Sequence, residues 1–365
     1  MNVLALTLVV RDESDILAAN LDYHLAQGVD VILAIDHGSS DGTGEILAEY
    51  ERRGCVRWFR EEARPHDQAS RVNRLLRVAA EEYGADWVIH TDADEFWMPA
   101  VGSLRDVFAT IPERYGYLRV ARHNFLPNGV NGQPFHQRMI VRHRRSLNLR
   151  GTMLEPKVAQ RPSAGARVEH GNHDLEEPVL DCAPDIGAVE VLHFPVRSFE
   201  QFERKVIKVG IGYELLESRP RGVGCDQLEL LAVYRNGGLR DYYHSEARDP
   251  EQLQAGLERG ELVVDARLPA LMDTASDSVQ ESPMVQEGLR HMWTRGEPWA
   301  DSLHAAQALA RERAATIAKL EGQLRDTRAE ASKLAEELSE VRNSRIMRFT
   351  APARGAYYRV RPTRG

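Results

Sequence analysis

The sequence predicts an α/β fold built around a parallel sheet. Two observations carry this. Short apolar runs alternate with helical patterns through the first hundred residues, and three of the first four runs end in acidic or hydrogen-bonding groups. Strand–helix alternation at this pitch means βαβ units, with helices on both faces of the sheet. Residues 3–10 read as a buried strand, and Ser14 as the N-cap of a helix through about residue 26. Residues 31–35 form a second apolar run. The cluster Gly38-Ser39-Ser40-Asp41-Gly42 then reads as a turn and cap before a helix over 44–53. A third strand over 56–59, a third helix over 67–83 and a fourth strand over 87–90 follow, the last running into Thr91-Asp92-Ala93-Asp94-Glu95.

From about residue 118 to 194 short β-like runs alternate with Gly, Pro and Asn loops, and helical patterns resume over 198–216, 225–235 and 250–258. Residues 1–265 therefore read as one large domain with a mixed C-terminal half, and 266–298 as an irregular connector. From Leu303 a 3-4 alternation of mostly apolar residues runs through Ile317, Leu320, Leu324, Leu334 and Leu338 to Val341, with Arg313 and Thr327 as flaws. It predicts a coiled coil within 299–343, through which residues 303–341 join copies of the chain. Residues 344–365 form a basic, aromatic tail.

Composition limits the alternatives. A chain of 365 residues with 42% hydrophobic content can bury a real core, which argues against collagen, wholesale disorder and a disulfide-stapled mini-protein. The opening apolar run has no basic flank and is too short for a secretory signal or a membrane span. Three scattered cysteines signal neither a zinc site nor a disulfide framework, so a reducing cytosol is the default. The net charge is −8. Residues 345–365 hold six arginines and no acid, so the rest of the chain carries −14 and is a poor nucleic-acid binder. The first strand–helix turn has no glycine-rich fingerprint, which disfavours dinucleotide chemistry.

In open α/β sheets ligands bind beyond the carboxyl ends of the strands. Asp92 and Asp94 lie in the turn after the fourth strand, where both can reach one hard cation. Mg²⁺ or Mn²⁺ held by one or two carboxylates completes its shell with phosphate oxygens and water, which suits a nucleoside-diphosphate leaving group. An isolated Asp-x-Asp is weak; its position after a predicted strand strengthens it. A metal-dependent hydrolase built on His170, His173 and Asp174 is a rival, although that cluster lacks a helical HExxH pattern.

Three segments resemble a known family. Val10-Arg11-Asp12-Glu13, Asp36-His37-Gly38-Ser39-Ser40-Asp41-Gly42-Thr43 and Asp86-Trp87-Val88-Ile89-His90-Thr91-Asp92-Ala93-Asp94-Glu95-Phe96 look like family-2-type bacterial glycosyltransferases of the branch carrying DADEF. The stretch His193-Phe194-Pro195-x-Arg197-Ser198-x2-Gln201-Phe202-x2-Lys205 is similar to that branch too. The resemblance covers about residues 1–210. It implies a GT-A fold with a nucleotide and metal half (1–100) and an acceptor half (101–265), a nucleotide-sugar donor and a divalent ion.

Carried over residue by residue, the resemblance implies that Arg11 and Glu13 line the nucleotide pocket and that Asp36 holds base or ribose. Asp92 and Asp94 take metal and diphosphate. Glu13 also suits the start of the following helix, and Asp36 a turn. Gln68, Arg71 and Asn73 lie on the helix before the metal strand, where polar contacts to the donor are expected; a solvated face is the alternative. His193 is the first choice for a third metal ligand and His173 the second, and Lys205 is a candidate for the diphosphate. An inverting transfer needs a base to take the acceptor proton, and a carboxylate is expected in that role. Glu155, Asp174, Asp181 and Glu190 lie in the right region, with Asp174 ranked first and Glu155 second. The acceptor is expected to be a glycan or lipid-linked molecule of the cell surface. The chain is expected in the cytoplasm, with the tail as a contact to the inner membrane face. The alternative reading is a non-catalytic scaffold of the same fold that oligomerises through its coiled coil.

Overall fold

The structure is a computed structural model describing residues 2–62, 68–128, 132–148, 152–163, 165, 167–176, 180–216, 224–272 and 283–295. The chain divides into two compact units, Met1–Trp299 and Ala300–Gly365. The predicted coiled coil (303–341) and the tail lie outside the described residues.

The N-terminal half follows the predicted alternation: β1 (Leu4–Val10), α1 (Leu17–Ala26), β2 (Val31–His37), α2 (Thr43–Arg52), β3 (Val56–Glu61), α3 (Gln68–Tyr83) and β4 (Trp87–Thr91). The mixed half begins with β5 (Glu95–Pro99), α4 (Leu104–Thr110), β6 (Tyr115–Val120) and β7 (Arg122–Asn124). It continues through α5 (Phe135–Arg138), β8 (Val141–His143), β9 (Lys157–Gln160), β10 (Arg167–Val168), β11 (Leu175–Glu176), β12 (Asp181–Cys182) and β13 (Val189–His193). The last described elements are α6 (Phe199–Glu214), α7 (Cys225–Arg235), α8 (Leu239–Ala247), α9 (Pro250–Glu258), β14 (Leu262–Val264), α10 (Arg267–Met272) and α11 (Pro283–Arg295).

Seven strands form the main sheet in the order β12-β6-β9-β4-β1-β2-β3. β1, β2, β3 and β4 are parallel, while β9 runs antiparallel to both β4 and β6. Alternating side chains send the strands' apolar residues to opposite faces. Leu4, Leu6, Leu8, Ile32, Ala34, Trp87 and Ile89 pack with Leu17, Leu21 and Leu47 of α1 and α2. Ala5, Leu33, Ile35 and Val88 pack with Val72, Leu75 and Ala79 of α3. The sheet is therefore covered on both faces, as the α/β reading expects. Register brings the carboxyl ends together, with Val10 opposite Asp36 and Leu8 opposite Thr91.

A second sheet, β5-β13-β7, grows from the turn after β4. The stretch 266–298, expected to be irregular, instead contains α10 and α11. Val285, Leu289 and Trp293 recur every four residues and pack into the main core, a helical stripe missed among the surrounding polar residues. Trp293 Nε1 donates to Thr110 Oγ1 (3.2 Å) and Gln286 to Asp106 (3.0 Å), fastening α11 to α4.

Candidate active site

The motif at the β2–α2 turn is first of all a brace. Asp41 accepts from the Thr43 amide and hydroxyl and from the Ser14 amide. Ser39 Oγ accepts from the Asp12 amide, and Asp12, left-handed at φ 55°, accepts from the Ser40 amide. These bonds tie the loop after β1 to the loop after β2. Asp36 is fully buried beneath them. Its Oδ1 accepts from the Ser39 amide (2.8 Å), and its Oδ2 has no hydrogen-bond partner. It is not among the residues that line the cleft beyond the strand ends, and here it makes the turn contact.

Beyond the strand ends lies a cavity of about 320 Å³. Its wall includes Arg11, Glu13, Arg71, Asp92, Asp94 and His193, all predicted from sequence. Register explains how His193 arrives. β13 pairs antiparallel with β5 so that His193 lies opposite Glu95, next to Asp94, and the Phe194 amide donates to the Asp94 carbonyl. Helix α6, capped by Ser198, adds Gln201, Lys205, Lys208 and Gly212 at helical spacing along one face.

Asp94 is the more enclosed of the two aspartates, with a side chain only 3% exposed. Lys205 Nζ lies 2.5 Å from its Oδ2 and 3.3 Å from Glu13. Arg197, 1% exposed, ion-pairs with Glu13 and with Asp15 (2.7 Å) and approaches Asp94 at 4.0 Å. Burial opposes the Asp94 charge, but Lys205, His193 and Arg197 overcome it and hold the carboxyl well below its usual range. Burial likewise opposes the Lys205 charge, and Asp94 and Glu13 raise it above an ordinary lysine.

Asp92 faces a different ammonium. Buried Lys157 donates to Asp92 Oδ2 (2.6 Å) and to the Gly171 carbonyl (2.9 Å), and lies 3.1 Å from fully buried Glu95. Gln68 donates to the other Asp92 oxygen (3.0 Å), and Arg122 pairs with Glu95 (3.2 Å). Burial opposes the Asp92 charge, yet Lys157 holds its carboxyl below the ordinary range. Gln68, Asp92, Arg122 and Gln227 also line a second cavity of about 670 Å³, which holds Glu155, Lys157 and His173. The two cavities thus meet at Asp92.

The expected three-residue metal set is not assembled. Among the described residues no group of three or more His, Cys, Asp or Glu side chains is placed to hold an ion. His193 does face Asp94, Nε2 to Oδ1 at 3.5 Å, while its Nδ1 is 2.6 Å from Asn124 Oδ1. Its Nδ1 side is thus held by the Asn124 amide, and its Nε2 side is directed at the Asp94 carboxylate. Asp94 and His193 therefore fit a divalent ion as a two-residue set. Asp92 turns to Lys157 instead, and His173 lies in the second cavity.

Of the carboxylates weighed as base, Asp174 lies apart from both cavities. It sits before β11, where its side chain pairs with Arg119 (3.3 Å). Glu190 is engaged by Arg267 (2.6 Å) and His123, and Asp181 is an exposed residue of β12; both are also away from the cleft. Glu155 remains, on the rim of the second cavity. Arg71 reaches Glu61 (2.8 Å), and Asn73 is spent on both backbone groups of the β10 edge through Val168. Sequence reasoning missed Lys157, Arg122, Lys208 and the role of Arg197. Arg197 stood in a quoted motif, but nothing local marks Lys157 as the partner of Asp92.

No family model and no curated protein matches the chain. Among solved structures it is similar to residues 1–349 of S. aureus TarS in complex with UDP-GlcNAc, at 14% identity and a TM-score of 0.35, over 81% of this chain and 93% of that one. It is also similar to glucosyl-3-phosphoglycerate synthase from Mycobacterium tuberculosis in complex with Mn²⁺, UDP and glucosyl-3-phosphoglycerate, at 15% identity and a TM-score of 0.25, over 33% and 44% of the two chains. Likeness at these scores leaves the chemistry of this chain to rest on its own geometry.

Proposed function

We propose that the chain is a GT-A glycosyltransferase that moves a sugar from a nucleotide-sugar donor to a glycan or lipid-linked acceptor, with inversion, in cell-surface glycan synthesis. The observation that carries the reading is the cleft at the carboxyl ends of β1 and β4. There Asp94 and His193 face each other in a wall that also holds Arg11, Arg204, Lys205 and Lys208, the last two paired with Asp94 and Asp12. A diphosphate is the ligand whose charge such a set of cations suits, and fixed cations at the leaving group stabilise the charge that builds as the bond from the sugar to the diphosphate breaks. A divalent ion, where bound, would be held by Asp94 and His193 and would supply further charge neutralisation at the diphosphate. Arg11 and Arg71 would line the nucleotide end, and Lys205, freed from Asp94, would turn to the phosphates. Arg197 keeps Glu13 and Asp94 in place and stays out of the cleft.

The remaining readings complete the proposal. Residues 303–341 join copies of the chain, and the basic tail holds it at the inner face of a membrane, with no role for nucleic acid. Among the described residues no helix is long and apolar enough to cross a membrane.

Thermal shift across UDP-, GDP-, dTDP- and CDP-sugars, with and without Mn²⁺, tests the central reading. One donor class should raise the melting temperature in a metal-enhanced way that Asp94→Ala abolishes. A well-folded protein that responds to no donor would leave the non-catalytic scaffold as the better account.

A further inference from the structure

The second cavity contains a histidine whose ring is held on one side and open on the other. His173 Nδ1 lies 2.9 Å from the Pro156 carbonyl oxygen, which can only accept, so the ring proton is on Nδ1. Nε2 then carries a lone pair, and Glu155 Oε2 lies 3.5 Å away on the rim. The seat of the ring is shaped for it. Gly171 has φ +82°, and a Cβ there would come within 2.5 Å of Cδ2 and Nε2 of His173. The Gly171 carbonyl is held by the Lys157 ammonium that also binds Asp92, so the ring is fixed relative to the point where the cavities meet. The charged groups that act on it are Lys157 of β9, Arg122 of β7, Asp92 of the β4–β5 turn and Glu155, and Glu169 and Asp226 line the same cavity. Burial, then Lys157 and Arg122, push the imidazole down to about 3 against the Pro156 hydrogen bond and Asp92, so it is neutral at pH 7.

We propose that this cavity receives a hydroxyl-bearing acceptor and that Nε2 of His173 takes the hydroxyl proton during transfer. The proposal rests on the transferase reading. The acceptor oxygen forms a bond to the anomeric carbon as the bond from that carbon to the diphosphate breaks, its electron pair leaving with the phosphate. The hydroxyl proton passes to Nε2, and the imidazolium so formed meets the Glu155 carboxylate. The amides of Asn148, Gln68 and Gln227 and the hydroxyl of Thr152 give the cavity wall both donors and acceptors, the chemistry that suits a polyol or sugar. Glu155 is then the partner of the base, and His173 is the base itself.

The test uses the full chain with water as acceptor, measuring nucleoside diphosphate released from whichever donor gives the thermal shift. His173→Ala should keep the donor-induced shift but hydrolyse about 100-fold more slowly or worse, the range expected on losing a general base. Added imidazole should restore part of the rate in proportion to its neutral form, which a merely structural histidine would not allow. His173→Gln, whose amide can keep the bond to Pro156, should be equally slow and covers the case in which the alanine variant does not melt cooperatively. The proposal is overturned by a wild-type rate in either variant with donor bound, by an alanine variant that imidazole does not rescue, or by a donor-bound wild type that releases no diphosphate. A protein that shifts with no donor removes the transferase reading, and this proposal with it.

Discussion

Asp92 and Asp94 stand two positions apart in one turn, yet the fold gives them opposite surroundings. Asp94 is 3% exposed and belongs to a closed ionic cluster with Lys205, Arg197, Glu13 and His193. Asp92 is 30% exposed and shares Lys157 with Glu95 where two cavities join. A turn sends neighbouring carboxylates in different directions, and each meets the cation that its own side of the molecule supplies. A two-acid motif can therefore be two sites. The deeper acid is locked among cations of the first cavity; the shallower one stands where the first cavity meets the second.

The largest expected effect breaks the deeper cluster. Arg197→Met removes the fully buried guanidinium that pairs with Glu13 and Asp15, leaving Lys205 alone to serve both Glu13 and Asp94, and should cost about 3–5 kcal/mol of stability, read from the urea midpoint at constant m. Lys157→Met strands Asp92 and Glu95 in the same way. Asp92 can take up water and Glu95 keeps Arg122, so the loss should be smaller by about 1 kcal/mol or more. The reverse order would mean that the difference in enclosure does not govern the energetics.

Donor binding sharpens the contrast. Asp94→Asn should weaken the nucleotide-sugar donor at least tenfold and remove its metal enhancement, measured by titration calorimetry with Mn²⁺ present; tenfold corresponds to about 1.4 kcal/mol. Asp92→Asn should weaken it less and act mainly on turnover. Gly171→Ala acts only on the Asp92 side. Its Cβ meets the His173 ring and its φ is unfavourable to alanine, so stability should fall by about 1–2 kcal/mol while donor affinity is unchanged.

The smallest effect lies outside both cavities. Burial opposes the Glu190 charge, but His123 and Arg267 overcome it and hold the carboxyl below its usual range. A carboxyl depressed in the folded state contributes stability that is fully present above its unfolded value and is lost as pH falls through the folded one. Wild type should therefore lose more stability than Glu190→Gln as pH drops from about 5 toward 2, read by chemical denaturation at each pH. Parallel curves would show that this network adds nothing to the acid sensitivity.

Local pattern determined much of this protein. The period-2 alternation of β1, β2 and β4 set which side chains face which helices, and the Asp-x-Asp after β4 marked where the charge would gather. His193 and Lys205 were singled out through the stretch that resembles a known family, and both line the first cavity. Tertiary structure decided the partners. Lys157 meets Asp92 because β9 enters antiparallel beside β4, and Asp174, just before β11, sits beside Arg119 of β6 instead of lining either cavity. The helix over Pro283–Arg295 became visible only through the core it covers. Periodicity is written along the chain, because it follows from how one backbone places its own side chains. Ion pairs depend on which strands become neighbours, and that is settled by the sheet as a whole.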